Sequence, residues 1–160
     1  NSTDTISSSG STICTITADY RVVCWGANDM GQLGQGNTNS INNMVNVTLT
    51  TSNHPVDIAV GKHHTCVVTS AGEIECWGSE LSTPPAGQGF KSIQVGLQHA
   101  CAIHDSDKVS CWGANTQNQL DSPNQKFHTL SSGGAHNCGL DSVGSIHCWG
   151  WNEAGQAHPP

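Results

Sequence analysis

Two short runs rich in β-branched residues, Cys66-Val67-Val68 and Ile74-Glu75-Cys76, flank the small-residue stretch Thr69-Ser70-Ala71-Gly72. That pattern predicts an antiparallel hairpin with about three residues in its loop. Setting Cys66 opposite Cys76 also sets Val67 opposite Glu75 and Val68 opposite Ile74. At a non-hydrogen-bonded position the cysteine Cα atoms would lie roughly 4.5 Å apart, within reach of a disulfide. The same hairpin returns at Cys14 and Cys24, at Cys101 and Cys111, and at Cys138 and Cys148, always with a separation of ten. Each second cysteine is followed by a tryptophan and a glycine, giving Trp25, Trp77, Trp112 and Trp149 equivalent places. The chain is read as a four-fold internal repeat.

A third strand is predicted ahead of each hairpin. Ile6, Ile58, Ile93 and Leu130 each stand eight residues before a first cysteine, inside short runs such as Asp57-Ile58-Ala59-Val60 and Ser92-Ile93-Gln94-Val95. Gly61, Gly96 and Gly133 follow three of these runs, with Ser9 in the first unit; glycine there permits a sharp turn or close strand approach. His64, His99 and His136 stand two residues before the first cysteine, where the first unit has Thr12. A histidine repeated with no matched carboxylate or second ligand is read as structural, bonding a backbone group of its neighbour.

The chain 1–160 is taken as one repeat domain with units 1–55, 56–85, 86–123 and 124–160. Polar loops follow Gly26, Gly113 and Gly150, and the second unit shortens its loop to Gly78-Ser79-Glu80-Leu81. The extra length of the first unit lies in 36–55, expected as an exposed insertion loop or an added edge hairpin around Met44-Val45-Asn46-Val47. Asn46-Val47-Thr48 there, and Asn1-Ser2-Thr3 at the start, are N-glycosylation sequons, which makes Asn46 and Asn1 candidate acceptors.

Composition narrows the class. Only 11% of residues are charged and Gly, Ser, Thr and Asn are abundant, which suits short strands and turns. Five Lys and Arg against twelve Asp and Glu leave no basic patch for phosphates, so nucleic acid is not an expected partner. No stretch has the length and apolarity of a membrane-spanning helix, and a start at Asn1 without Met suits removal of a targeting peptide. Eight evenly spaced cysteines without a Cys-x-x-Cys pair favour disulfides over metal, and hence an extracellular or other oxidising compartment. In the chain-entropy model each loop contributes about 2.5–3 kcal/mol.

The order of short strand, Gly-x-x-His-x-Cys, hairpin and Cys-Trp-Gly-x-Asn-x-x-Gly-Gln-Leu-Gly resembles the repeats of the regulator of chromosome condensation family, most fully over 22–34. The short, cysteine-paired form also looks like the repeats of a secreted β-lactamase-inhibitor protein and of crinkly-type receptor ectodomains. The resemblance implies an all-β fold, a β-propeller-like array of four antiparallel blades, each stapled by one hairpin disulfide. It implies no single function, because the family includes an exchange factor, inhibitors and receptor ectodomains. Propellers of the family usually have seven blades; four units fit a piece of a larger propeller, a small ring or an open array.

The leading functional expectation is a secreted, non-enzymatic module that recognises a protein or glycan through loops on one blade face, with 27–55 and 114–125 as contact loops and no cofactor or metal. The alternative is a structural subunit joined head to tail through its terminal blades into an extracellular fibre. An enzyme is disfavoured: there is no Gly-x-Ser-x-Gly or His-Glu-x-x-His, Asp105 and Asp107 sit at a hairpin tip, and Glu73 and Glu75 share a solvated strand face. The Cys-Trp-Gly tryptophans are read as inter-blade packing. Trp151 breaks the pattern and is the candidate contact residue.

Overall fold

The structure is a computed structural model, and it describes residues 5–79 and 83–159. Thirteen strands and no helix occur among the described residues. Four antiparallel sheets follow one another along the chain. The first holds β1 (Thr5–Ser9), β2 (Thr12–Ile16), β3 (Val22–Gly26) and β4 (Ile41–Val47). The second holds β5 (Pro55–Val60), β6 (His64–Thr69) and β7 (Ile74–Gly78). The third holds β8 (Phe90–Val95), β9 (His99–His104) and β10 (Val109–Gly113). The fourth holds β11 (Thr129–Ser132), β12 (His136–Leu140) and β13 (Ile146–Gly150).

Register follows the hydrophobic pattern, as it must where both faces of a strand are packed. Cys66 lies opposite Cys76, Val67 opposite Glu75 and Val68 opposite Ile74. In the other sheets Cys14 lies opposite Cys24, Cys101 opposite Cys111 and Cys138 opposite Cys148. All four pairs are bridged, with Cα atoms 4.0–4.1 Å apart. None of the eight is free: Cys111 of β10, for example, is bonded to Cys101 of β9 and packs against the core between the third and fourth sheets. Each run ahead of a hairpin forms the first strand and pairs with the second.

The 36–55 stretch is more than an insertion loop, and it is not a hairpin. Residues 41–47 form the single strand β4, which pairs with β3 across a register shift between Cys24 and Gly26. Ile41 and Val47 lean on the core between the first two sheets, while Met44 faces solvent.

Three cores lie between consecutive sheets. Ile16, Val22 and Leu33 meet Ile58, Val60 and Val67; Val68 meets Ile93 and Val95; Ile103 meets Phe127, Leu130 and Trp149. Near the axis the first turns crowd together. A Cβ on Gly61 would lie 2.6 Å from the Gly96 carbonyl oxygen, and one on Gly96 would lie 2.6 Å from that of Gly133. Glycine here serves close approach, not a left-handed turn. Ser9 of the first sheet lines the same small cavity as Gly96 and Gly133, so the inner ends of the first, third and fourth sheets converge.

Candidate functional site: the turn face and its loops

The glycine of each Cys-Trp-Gly triplet decides where the polar loops stand. Gly26, Gly78, Gly113 and Gly150 have φ between +101° and +113°, and the residue after each donates its backbone N–H to Ser11, His63, Gln98 or Ala135. These bonds bring the loops to the same end of the molecule as the inner turns 61–63, 96–98 and 133–135. Each full loop is then fixed by its own side chains. Asn28, Asn115 and Asn152 accept the N–H of Leu33, Leu120 and Ala157 at 2.8 Å. Gln32, Gln119 and Gln156 accept the N–H two residues earlier, at 2.8–2.9 Å.

Trp151 is the residue after Gly150, the place held by Ala27 and Ala114 elsewhere, and its N–H donates to the Ala135 carbonyl. Its side chain is 38% exposed. Leu97, 45% exposed, lies over Gly134 of the same turn and donates its N–H to the Gly134 carbonyl. Leu97 and Trp151 therefore flank the turn 133–135, and Leu97 with Gly134 borders a cavity of about 220 Å³ at the convergence of the sheets. Leu97 was not singled out from the sequence; its signal was an apolar residue in a turn where the other units carry Lys62 and Gly134.

The repeated tryptophans are occupied otherwise. The indole N–H of Trp77 donates to the Gln32 carbonyl at 2.8 Å, and that of Trp149 to the Gln119 carbonyl at 3.0 Å. Trp112 packs against the core between the second and third sheets. Trp25, in the first sheet, is half-buried.

The repeated histidines lie at the inner turns. His99 and His136 cover Gly96 and Gly133, and His64 is buried. His99 reaches its neighbouring sheet through the Asn137 side chain (2.8 Å), not a backbone group as expected. Burial holds the His64 and His99 rings below the usual imidazole pKa.

The acidic residues at the opposite end are tied up locally. Hydrogen bonding to Lys91 holds the Asp107 carboxyl below its ordinary range, and the Ser145 N–H, then His147, does the same for Asp141. Glu73 and Glu75 are not merely solvated: Glu75 accepts from Thr50, and Glu73 from Thr51, Asn53 and Gln88. They hold the segment 50–53 against the second sheet. No group of three or more His, Cys, Asp or Glu placed to hold a metal occurs among the described residues.

Asn46 is exposed on β4, and its side-chain oxygen accepts from Arg21 at 3.4 Å. Asn1 and the shortened loop at residues 80–82 lie outside the described residues.

Four sequential antiparallel sheets, inner strands converging and each hairpin bridged, define a disulfide-stapled β-propeller array. The Regulator of chromosome condensation (RCC1) repeat matches residues 21–68, and a second description of that repeat matches 90–119 and 127–156, so the chain belongs to this repeat family. Among solved structures, yeast RCC1 (Prp20) bound to Kap60 superposes with a TM-score of 0.80 at 19% identity, covering 96% of this chain and 44% of that one. The CRINKLY WD40 ectodomain of the Arabidopsis thaliana receptor kinase ACR4 gives 0.69 at 22% identity, covering 91% and 48%. The ectodomain of the Physcomitrella patens receptor kinase CR4 gives 0.74 at 20% identity, covering 91% and 40%. At these identities the likeness is one of fold, and the chain spans less than half the length of each of these proteins. No helix among the described residues is long and apolar enough to cross a membrane.

Proposed function

We propose that this chain is a secreted or cell-surface, non-enzymatic binding module that engages an extracellular protein through its turn face, with Trp151 and Leu97 as anchors. The observation that carries this reading is the pair itself: two exposed apolar side chains flank one turn beside a cavity, on a scaffold fixed by four disulfides. Aromatic anchors in rigid settings concentrate binding energy. Bridged cysteines and the likeness to receptor ectodomains support an oxidising, extracellular setting. Yeast Prp20, a fold relative, has binding properties to Gsp1p and histones, so protein recognition is a use to which such blades are put. Asn46, exposed on an edge strand within a sequon, is the proposed glycan acceptor.

A panel of secreted and cell-surface ectodomains, screened with the glycosylated chain as bait, tests the reading. Trp151→Ala is expected to weaken the hits at least tenfold while leaving the melting temperature unchanged. Undiminished binding by Trp151→Ala and Leu97→Ser together would overturn the assignment of the face, and hits on a glycan array alone would replace protein by carbohydrate.

A head-to-tail fibre subunit has the exposed Ile6 of the first sheet and Leu140 and Ile146 of the fourth in its favour, but Ile13 of the first blade brings no hydrogen-bond donor to the loop after the fourth, and this reading is not the one adopted.

A further inference from the structure

We infer that the open face of the fourth sheet is a docking surface for a further blade of the same repeat, one with a hydrogen-bond donor (Thr, Ser or Asn) immediately before its first cysteine. The first blade of a second copy, which has Ile13 there, is not that partner. The inference stands on the interfaces within the chain and not on the binding function proposed above.

The hairpin disulfides of the first three units face the following sheet. The residues two after the first cysteine and two before the second extend that apolar strip. In the first three units they are Ile16 and Val22, Val68 and Ile74, and Ile103 and Val109, each pair packed into the core shared with the next sheet. In the fourth unit they are Leu140 and Ile146, 39% and 48% exposed. Together with Leu130 and Cys138 they line an open depression of about 290 Å³. The strip that three sheets cover in turn is thus continued by a fourth without a cover.

The loop beside the strip carries a second, polar requirement. The Gln32 carbonyl accepts two donors from the following blade, the Thr65 hydroxyl at 2.9 Å and the Trp77 indole at 2.8 Å. The Gln119 carbonyl likewise accepts the Asn137 carboxamide at 2.8 Å and the Trp149 indole at 3.0 Å. Gln156 occupies the same loop, set by the same Asn and Gln side-chain bonds. Its carbonyl is therefore held in place, and no side chain of the described residues donates to it.

The donor before the first cysteine tracks the loop it meets. Thr65 and Asn137 follow units with the full loop, whereas Ala100 follows the second unit, whose loop is shortened in the sequence. A blade placed on the fourth sheet meets a full loop, so it must bring both donors or bury a carbonyl with half its partners missing. The first blade offers Trp25 but has Ile13 in the other place. Head-to-tail pairing of this chain with itself would thus match the apolar strip and fail at the Gln156 carbonyl.

The test extends the chain at Pro160 by a copy of residues 124–160, marked at the exposed Val143→Ala so that its peptides differ in mass from the original ones, or by a copy of residues 1–55, and follows reduction of each disulfide by a phosphine, with alkylation and peptide mapping. In the unextended chain, Cys138–Cys148 is expected to be reduced at least tenfold faster than Cys66–Cys76. The added fourth-unit copy should slow that reduction at least tenfold; the added first-unit copy should not, unless its Ile13→Thr variant is used. Equal protection by both copies, protection by neither, or a dimer of the unextended chain that shields Cys138–Cys148 would overturn the inference. Should the extended chains not fold, the donor rule is read in the unextended one. Thr65→Val must lower its melting temperature by several degrees and Ala100→Thr must not raise it; an unchanged melt for Thr65→Val sinks the rule.

Discussion

His64 and His99 show how a repeated residue can be plain in the sequence while its role is not. Their recurrence two positions before a cysteine was legible, and so was the absence of a carboxylate partner. The side-chain bond from His99 to Asn137 was not, because it crosses from one blade to the next and depends on a residue that recurs in no other unit. Both rings are buried, and burial disfavours the charged form, so their folded-state pKa values lie below the ordinary 6.5; neighbouring histidines (His63 and His99 beside His64, His136 beside His99) add to the depression. The unfolded chain then binds more protons than the folded one below that value, and stability rises with pH there. The contribution is complete above about pH 6.5 and is lost as pH falls towards the depressed values. The melting temperature is therefore expected to fall between pH 7.5 and 5.5, the unfolding free energy declining by at most about 1.4 kcal/mol per pH unit per histidine. Asp57, whose carboxyl burial raises from 3.8, acts with the opposite sign and starts lower, so a His64→Gln, His99→Gln pair identifies the source. A melt that is flat over this range, or unchanged in slope by the double substitution, would refute the assignment.

At the scale of the element, the hairpins and their leading strands were legible because β-branched residues, glycine turns and paired cysteines agree at every level. β4 was blurred for a physical reason. It is an edge strand with only one side against the sheet, and Asn43 interrupts the alternation of Ile41, Val45 and Val47. The loop-side acids Glu73 and Glu75 were misjudged because their partners at 50–53 lie in a segment without periodicity. The disulfides allow a sharper comparison. All four close loops of the same length, with a sequence separation of 10, so chain entropy alone assigns them the same worth, about 2.5–3 kcal/mol. Packing does not. Cys66 is fully buried in the core between the second and third sheets, while the Cys138–Cys148 pair faces the open side of the fourth. Cys66→Ala with Cys76→Ala leaves a cavity as well as a longer unfolded chain, and should cost about 1–2 kcal/mol more than the equivalent change at Cys138 and Cys148. Denaturant titration of the two double variants gives the difference directly, and equal costs would mean that entropy alone accounts for these bridges.

For the whole molecule, the repeat makes stability a matter of neighbours. Strand contacts join β1 and β2 to β5, β5 and β6 to β8, and β8 and β9 to β11. Each blade is thus held by its neighbours along the chain, as in other quasi-one-dimensional arrays. The middle sheets have two such neighbours, and β6 is buried along its whole length. The fourth sheet has one neighbour and an exposed strip at Leu140 and Ile146; the first also has one, but carries a fourth strand. Local opening should therefore begin at the fourth sheet, where least apolar surface returns to water when the backbone bonds break. Hydrogen exchange read by mass spectrometry is expected to show β13 losing protection at least tenfold faster than β6 and β9, with β3 between them. The ordering separates two pictures of how the bridges act. If four disulfides made each hairpin rigid on its own, β13 would exchange as slowly as its counterparts in the middle sheets, because its bridge is the same. If inter-blade burial sets the protection, the gradient follows the number of neighbours, and a partner blade seated on Leu140 and Ile146 would flatten it from that end.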